Sequence, residues 1–265
     1  MKIKPNKGDK WSRDEMIVVF NLYFKLPYGK LDHRTPEVKE LANLIGRTDN
    51  SVAMRLNNFA SCDPKLIARG IKALGDHKNR CQAYWDEFFQ NQEQLIYQSE
   101  KILSDYQNIG LEDKYYRILN DIPVDMKGDV RMHMVKTRVN QNFFREMVLA
   151  NYGGKCALTG IDLSNLLVAS HIIPWAINEQ ERLNPENGLC LSSLYDMAFD
   201  KGLISFTNEG KVIFSDSIKK NIGKEYYLNY FRPLENKKLA TPAKYNPNPL
   251  FFEWHRDVIC NKNDD

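Results

Sequence analysis

Residues 166–206 run LLVASHIIPWAINEQERLNPENGLCLSSLYDMAFDKGLISF, and the fold of the C-terminal half turns on what they form. The apolar run at 166–173 reads as a strand, with His171 close to its end. After a long loop come Asn187 and Gly188, and residues 187–201 read as one helix. On that helix Asp196 and Asp200 are i and i+4, so their carboxylates leave one face and can share a cation. Two hard oxygen anions suit Mg²⁺ or Mn²⁺ better than zinc. A neutral His171 facing that helix, with a pKa near the working pH, is what a general base needs. Base, carboxylate pair and water together make a hydrolytic site. Ordinary alternatives stand beside this. A histidine ending an apolar strand is usually a hydrogen-bonded structural residue, an aspartate pair one turn apart is usually a solvated face, and Asn-Gly is usually a turn.

Outward from this stretch, GLISF and KVIFS flank TNEG at 207–210, a hairpin signal. PLFFEWHRDVI at 249–259 reads as a closing helix with His255 packed inside it. Upstream, TRVNQNFFREMVLANYG at 137–153 is an amphipathic helix ending at Gly153-Gly154. Before it, Pro123 and Gly128 in DIPVDMKGDVR punctuate the chain and predict a domain boundary. Residues 80–120 read as further helices. The expected organisation is a helical domain at 1–90, a helical linker at 91–130 and a third part at 131–265.

The first ninety residues carry three amphipathic helices. One follows the N-cap Ser12 behind Trp11, with Met16, Phe20, Tyr23 and Phe24 at helical spacing. Pro36 opens the second, which ends at Gly46. Thr48 precedes the third, whose buried stripe is Val52, Leu56 and Phe59. Only a few residues part the last two, which is helix-turn-helix spacing.

Bulk composition narrows the class. The 265 residues are 43% hydrophobic and 27% charged, ordinary for a folded chain with room for two modest domains. Apolar runs fall short of the ~18–20 residues of a membrane span, and MKIKPNKGDK is basic without a signal peptide's apolar core. A cytoplasmic protein is expected. Five cysteines without a CxxC pair predict reduced, mostly buried thiols rather than disulfides or a zinc ribbon. A net charge of +3 permits a polyanionic partner without requiring one, and Lys2, Lys4, Lys7 and Lys10 read as an arm with nonspecific phosphate attraction.

Taken in order, SHIIPW, NPENGLCL and LYDMAFDKGLISF resemble the HNH family of nucleases. With RVNQNFFREMVLANYGGKCALTG before them and FFEWHRDVI after, the likeness extends over roughly residues 131–260 and to the family's restriction-type branch. It implies a C-terminal ββα-metal nuclease domain, which with the helical, helix-turn-helix-like N-terminal domain makes an α+β chain. It implies His171 as the base that activates water and Asn187 as the amide that holds the loop and orients the base. The family's last histidine is a metal ligand. Here Asp196 takes its place and Asp200 the second ligand position, with Mg²⁺ or Mn²⁺ as cofactor. Tyr195 also sits beside the expected position but points about 100° away from the pair. Ser170 falls where some relatives place another ligand; a neutral hydroxyl is a weak one, and Ser170 is left out of the set. Arg145 and Lys201 are candidate phosphate contacts. Cys156 and Cys190 lack the CxxC partners of zinc-binding relatives.

LANLIGRTDNSVAMRLNNF resembles the last two helices of a SANT or Myb-type DNA-binding domain, with Trp11 like its leading tryptophan. This second resemblance implies that Arg47, Asn50, Arg55, Asn57 and Asn58 face DNA, the amides suited to adenine edges and the arginines to guanine or phosphate. The expected function is a metal-dependent, restriction-type DNA endonuclease acting on double-stranded DNA, with modified DNA among the candidate substrates. Products would carry a 5′-phosphate and a 3′-hydroxyl. One such site cuts one strand, so a double-strand break favours a homodimer. Two other classes stay open: a nonspecific nuclease toxin or defence effector whose N-terminal half docks a protein, and a DNA-binding regulator with a degenerate nuclease half.

Overall fold

The computed structural model describes residues 9–68, 70, 78–89, 91–120, 122–123 and 125–260. Lys2, Lys4 and Lys7 lie outside them. The chain divides into two compact units, residues 1–143 and 144–265.

In the first unit, α1 (Arg13–Lys25) starts with a reciprocal capping box: Ser12 Oγ accepts from the Glu15 backbone N–H, and Glu15 accepts from the Ser12 N–H. Its Met16, Ile17, Val18, Val19, Phe20, Tyr23 and Phe24 are all buried, so α1 is the axis of this unit. α2 (Pro36–Ile45) ends at Gly46 in the left-handed region (φ 76°). α3 (Asp49–Ala60) begins shortly after, behind Thr48, whose side chain accepts from the Ser51 N–H. Phe59 of α3 stacks on Phe20 with centroids 4.3 Å apart. The short α4 (Pro64–Ala68), then α5 (Lys78–Phe88) and α6 (Gln92–Gln107), follow. Trp85 of α5 packs on Phe20, and Leu95 and Ile96 of α6 are buried. α6, within the stretch expected to be helical, packs against α1. Buried Glu100 on α6 accepts from Asn21 and Lys25 of α1 and from Lys114. Two single-turn helices, α7 (Leu111–Lys114) and α8 (Tyr116–Leu119), lead to the long α9 (Gly128–Asn151).

The division into units falls inside α9, after Phe143. In the second unit β1 (Leu167–His171) pairs antiparallel with β2 (Gly188–Ser192), and His171 stands opposite Gly188. α10 (Ser193–Asp200) follows β2 directly and packs on both strands. β3 (Ile204–Phe206) and β4 (Val212–Phe214) form the expected hairpin around 207–210. After them come α11 (Asp216–Lys219), a helical stretch through 225–234 and α12 (Pro249–His255).

Here one expectation is corrected. Asn187 does not begin a helix; it ends a 3-10 turn, Pro185–Asn187, and residues 188–192 are a fully buried strand. A short apolar run buried on both faces carries no period that separates strand from helix, and pairing with β1 decides it. Asp196 and Asp200 remain one turn apart, on α10.

Candidate active site

The site grows from the end of β1. His171 Nε2 lies 2.9 Å from the Arg182 carbonyl oxygen. A carbonyl only accepts, so Nε2 carries the proton and Nδ1 keeps its lone pair. The imidazole stacks on Phe144 of α9, centroids 3.7 Å apart and planes 12° apart, and meets the edge of Trp175. Burial holds its pKa at about 4, against the smaller upward pull of the Arg182 carbonyl. The ring is therefore neutral throughout the physiological range. A pKa near the working pH is expected from the sequence; the apolar packing of Phe144 and Trp175, invisible there, lowers it.

The register explains how α9 comes so close. A Cβ on Gly188, opposite His171, would overlap the side chains of Val148 and Phe144. The glycine in Asn-Gly thus serves a close packing of β2 against α9 rather than a turn.

Asn187 is fully buried, and its amide closes the loop of residues 172–187. Oδ1 accepts from the Ile173 N–H at 2.7 Å, while Nδ2 donates to the Ile173 and Glu181 carbonyls at 3.0 Å each. Its backbone carbonyl accepts from the Ile172 N–H at 2.9 Å. Every one of these bonds fixes the chain one or two residues beyond His171 or on the far limb of the loop. Arg182, whose carbonyl receives the imidazole, also donates to the Trp175 carbonyl at 2.8 Å.

On α10 the Asp196 charge bears on Asp200. Partial burial raises Asp200 to about 6, Asp196 adds to the rise, and Lys201 opposes it. Asp196 is also raised by burial, and the neighbouring Ser170 hydroxyl draws it back. That hydroxyl is buried and, although beside Asp196, makes no hydrogen bond of good geometry. Ser170, set aside on sequence grounds, is therefore brought to Asp196 by the strand that carries His171. Among the described residues no three His, Cys, Asp or Glu side chains converge. A cation here would rest on Asp196 and Asp200, with Ser170 Oγ as a further oxygen. That hard, all-oxygen set fits Mg²⁺ or Mn²⁺, which keep water and substrate oxygens as their remaining ligands.

Other expected site residues fall in varied places. Tyr195 is turned away, its hydroxyl donating to the Tyr230 carbonyl at 2.7 Å. Arg145 donates to the carbonyls of Leu167 and Ser164, bracing the start of β1. Lys201 is exposed next to Asp200. Cys156 and Cys190 are buried; the Cys156 sulfur accepts from the Ser192 N–H at 3.2 Å. His255 is a packed residue, stacked on Phe199, donating from Nε2 to the Phe199 carbonyl and accepting from Ser205 at Nδ1. It ties α12 to the C-terminal end of α10.

In the first unit, Arg47 forms a buried ion pair with Glu15, donates to the carbonyls of Asp9 and Lys10, and lies over Trp11. Arg55 covers the same indole at 4.9 Å. Asn58 is buried, and the exposed Asn57 donates to the Leu31 and Ala53 carbonyls. Asn50 is exposed, as is Met54 one turn on.

The site thus brings together a half-buried, singly protonated imidazole, a loop-locking amide and two carboxylates on the next helix. Residues 156–207 match the family model of the HNH endonuclease, so the segment holding all four residues is similar to that nuclease domain. The similarity implies a nuclease hydrolase acting on nucleic acid. No curated protein matches the chain. No described helix is long and apolar enough to cross a membrane.

Proposed function

We propose that the chain is a metal-dependent DNA endonuclease of restriction type, with His171 as general base and Asp196 and Asp200 as the metal-holding pair. The observation that carries this reading is the Ser170 hydroxyl set against Asp196, one turn from Asp200 on the same helix, with a half-buried, neutral His171 next to Ser170 on the strand.

His171 Nδ1 accepts a proton from a water molecule as its oxygen attacks phosphorus. Nε2–H stays on the Arg182 carbonyl and stabilises the imidazolium that forms. The bond from phosphorus to the 3′ oxygen breaks opposite the attacking oxygen, the leaving oxygen takes up a proton from solvent water, and the 5′-phosphate remains on the other fragment. Asn187 keeps the 172–187 loop closed, so that the Arg182 carbonyl and the imidazole do not drift apart. Mg²⁺ or Mn²⁺ on Asp196 and Asp200 would supply Lewis-acid polarisation of the phosphodiester and neutralise charge at the leaving oxygen.

The N-terminal unit is the reader in this proposal, through the face of α3 that bears Asn50 and Asn57, with Arg47, Arg55 and Asn58 supporting or flanking it. Modified duplex DNA belongs among its candidate targets, and a homodimer would let two sites cut both strands. Incubation with supercoiled plasmid, modified and unmodified, and with Mg²⁺ or Mn²⁺ tests the whole reading. Nicked or linear DNA is the expected product; intact plasmid in every combination contradicts it.

A further inference from the structure

Beyond residue 207, where the family match ends, the second unit carries a surface that the reading above leaves unused. Residues 225–231 are helical, and Tyr226 and Tyr230, four apart, share an exposed face at 44% and 52% exposure. Exposed tyrosines one turn apart are unusual unless something covers them, since phenol rings bury readily. Their neighbours Tyr227 and Phe231 point inward and pack on each other and on Phe214, so the face is held rigidly. Lys220 and Lys224 precede it and Arg232 follows. All three are exposed and form no ion pair among the described residues, whereas Lys219 is paired with Asp216. This surface adjoins the catalytic helix: the Tyr195 hydroxyl donates to the Tyr230 carbonyl, and the Tyr195 ring meets Phe231 edge-on. Tyr195 is the residue next to Asp196.

We propose that residues 220–232 form a second DNA-binding element, which grips the DNA beside the scissile phosphate. Lys220, Lys224 and Arg232 contact phosphates, and Tyr226 and Tyr230 pack against the sugars and bases between them. Charge complementarity and continuity with α10 select this occupant: through Tyr195 the surface is joined to the helix that bears Asp196 and Asp200, and it offers cations on either side of two flat rings. The inference rests on the nuclease reading and adds a binding surface to that site.

The test uses full-length protein carrying His171→Ala, so that a labelled duplex DNA is bound without turnover, in Ca²⁺ buffer over a range of salt. Lys220→Gln/Lys224→Gln/Arg232→Gln should weaken binding at least tenfold and flatten the dependence of log K on log salt by about 0.9 for each phosphate no longer neutralised. Tyr226→Ala/Tyr230→Ala should weaken binding about tenfold at every salt concentration, with the slope unchanged. Both sets alter only exposed side chains, and an unchanged thermal transition verifies the fold. Affinity and slope unaltered in both sets overturn this proposal, and a wild type that still cuts plasmid then leaves the nuclease reading standing. A wild type that neither binds nor cuts DNA overturns both.

Discussion

The Phe144 ring lies flat on the His171 imidazole, centroids 3.7 Å apart, and reaches it because the residue opposite His171 in the sheet is Gly188. The stack fixes the plane of the ring and keeps it neutral. Gly188→Ala should therefore cost about 1–3 kcal/mol, the usual range for overpacking, as α9 is pushed off β2. Urea unfolding measures the loss. Activity should fall further than folding alone explains, because displaced Phe144 frees the imidazole to rotate.

Asn187→Ala removes three side-chain hydrogen bonds and leaves their backbone partners buried without replacements. A loss of about 2–4 kcal/mol is expected from such unpaired groups. The damage should centre on residues 172–187. Hydrogen exchange would show those amides losing protection while β3 and β4 keep theirs; uniform loss across the unit would contradict a loop-closing role.

How far the sequence reveals this arrangement depends on whether a feature is local. Ser12, Thr48 and Gly46 are helix signals that act through their own backbone neighbours, and they mark the ends of α1, α2 and α3 as expected. TNEG sets the β3–β4 hairpin for the same reason. Residues 188–192 read as helix because Leu189, Cys190 and Leu191 are apolar on both faces; the partner strand that makes them β lies across the loop of residues 172–187. Within the site, the carboxylate pair follows from a four-residue spacing. Phe144, Trp175 and the Arg182 carbonyl, which set the protonation of His171, come from separate segments and leave no periodic trace. Ser170 is the intermediate case. Its place beside His171 is the signal, and only the packing of α10 on β1 shows that its hydroxyl meets Asp196.

Metal affinity should depend on pH in a definite direction. Asp200 is held up to about 6, so protons compete with the cation as pH falls through that value. Mn²⁺ titration by calorimetry should show affinity dropping between pH 7 and 5. Asp196→Asn and Asp200→Asn should each weaken binding by at least tenfold, with the thermal transition of the metal-free protein retained. Unchanged affinity in both variants would exclude the pair as ligands.

The two units should also differ in acid. Burial lowers His171 and His255 from 6.5 to about 4, so the unfolded chain binds more protons between those values. Their contribution is full above about pH 6.5 and declines to pH 4, about 3 kcal/mol for each ring by the free energy of a pKa unit. Raised Asp200 works in the opposite direction but is exposed, and its offset is small. In the first unit burial pushes Glu100 up, yet Lys25 and Lys114 outweigh it and hold it down at about 2 against an ordinary 4.5. Its stabilisation is present above pH 4.5 and lost as pH falls toward 2. Hydrogen exchange at pH 7, 5 and 3 should find the second unit weakened at pH 5 and α1 and α6 only at pH 3.

The most direct test of the central claim is plasmid cleavage in Mg²⁺ or Mn²⁺ by wild type and His171→Ala at equal concentration, with both confirmed folded by circular dichroism. A general base contributes about 10²–10⁴ in rate, and the variant should fall by that factor while still binding DNA. Equal rates for the two proteins would contradict the assignment of His171 as the base.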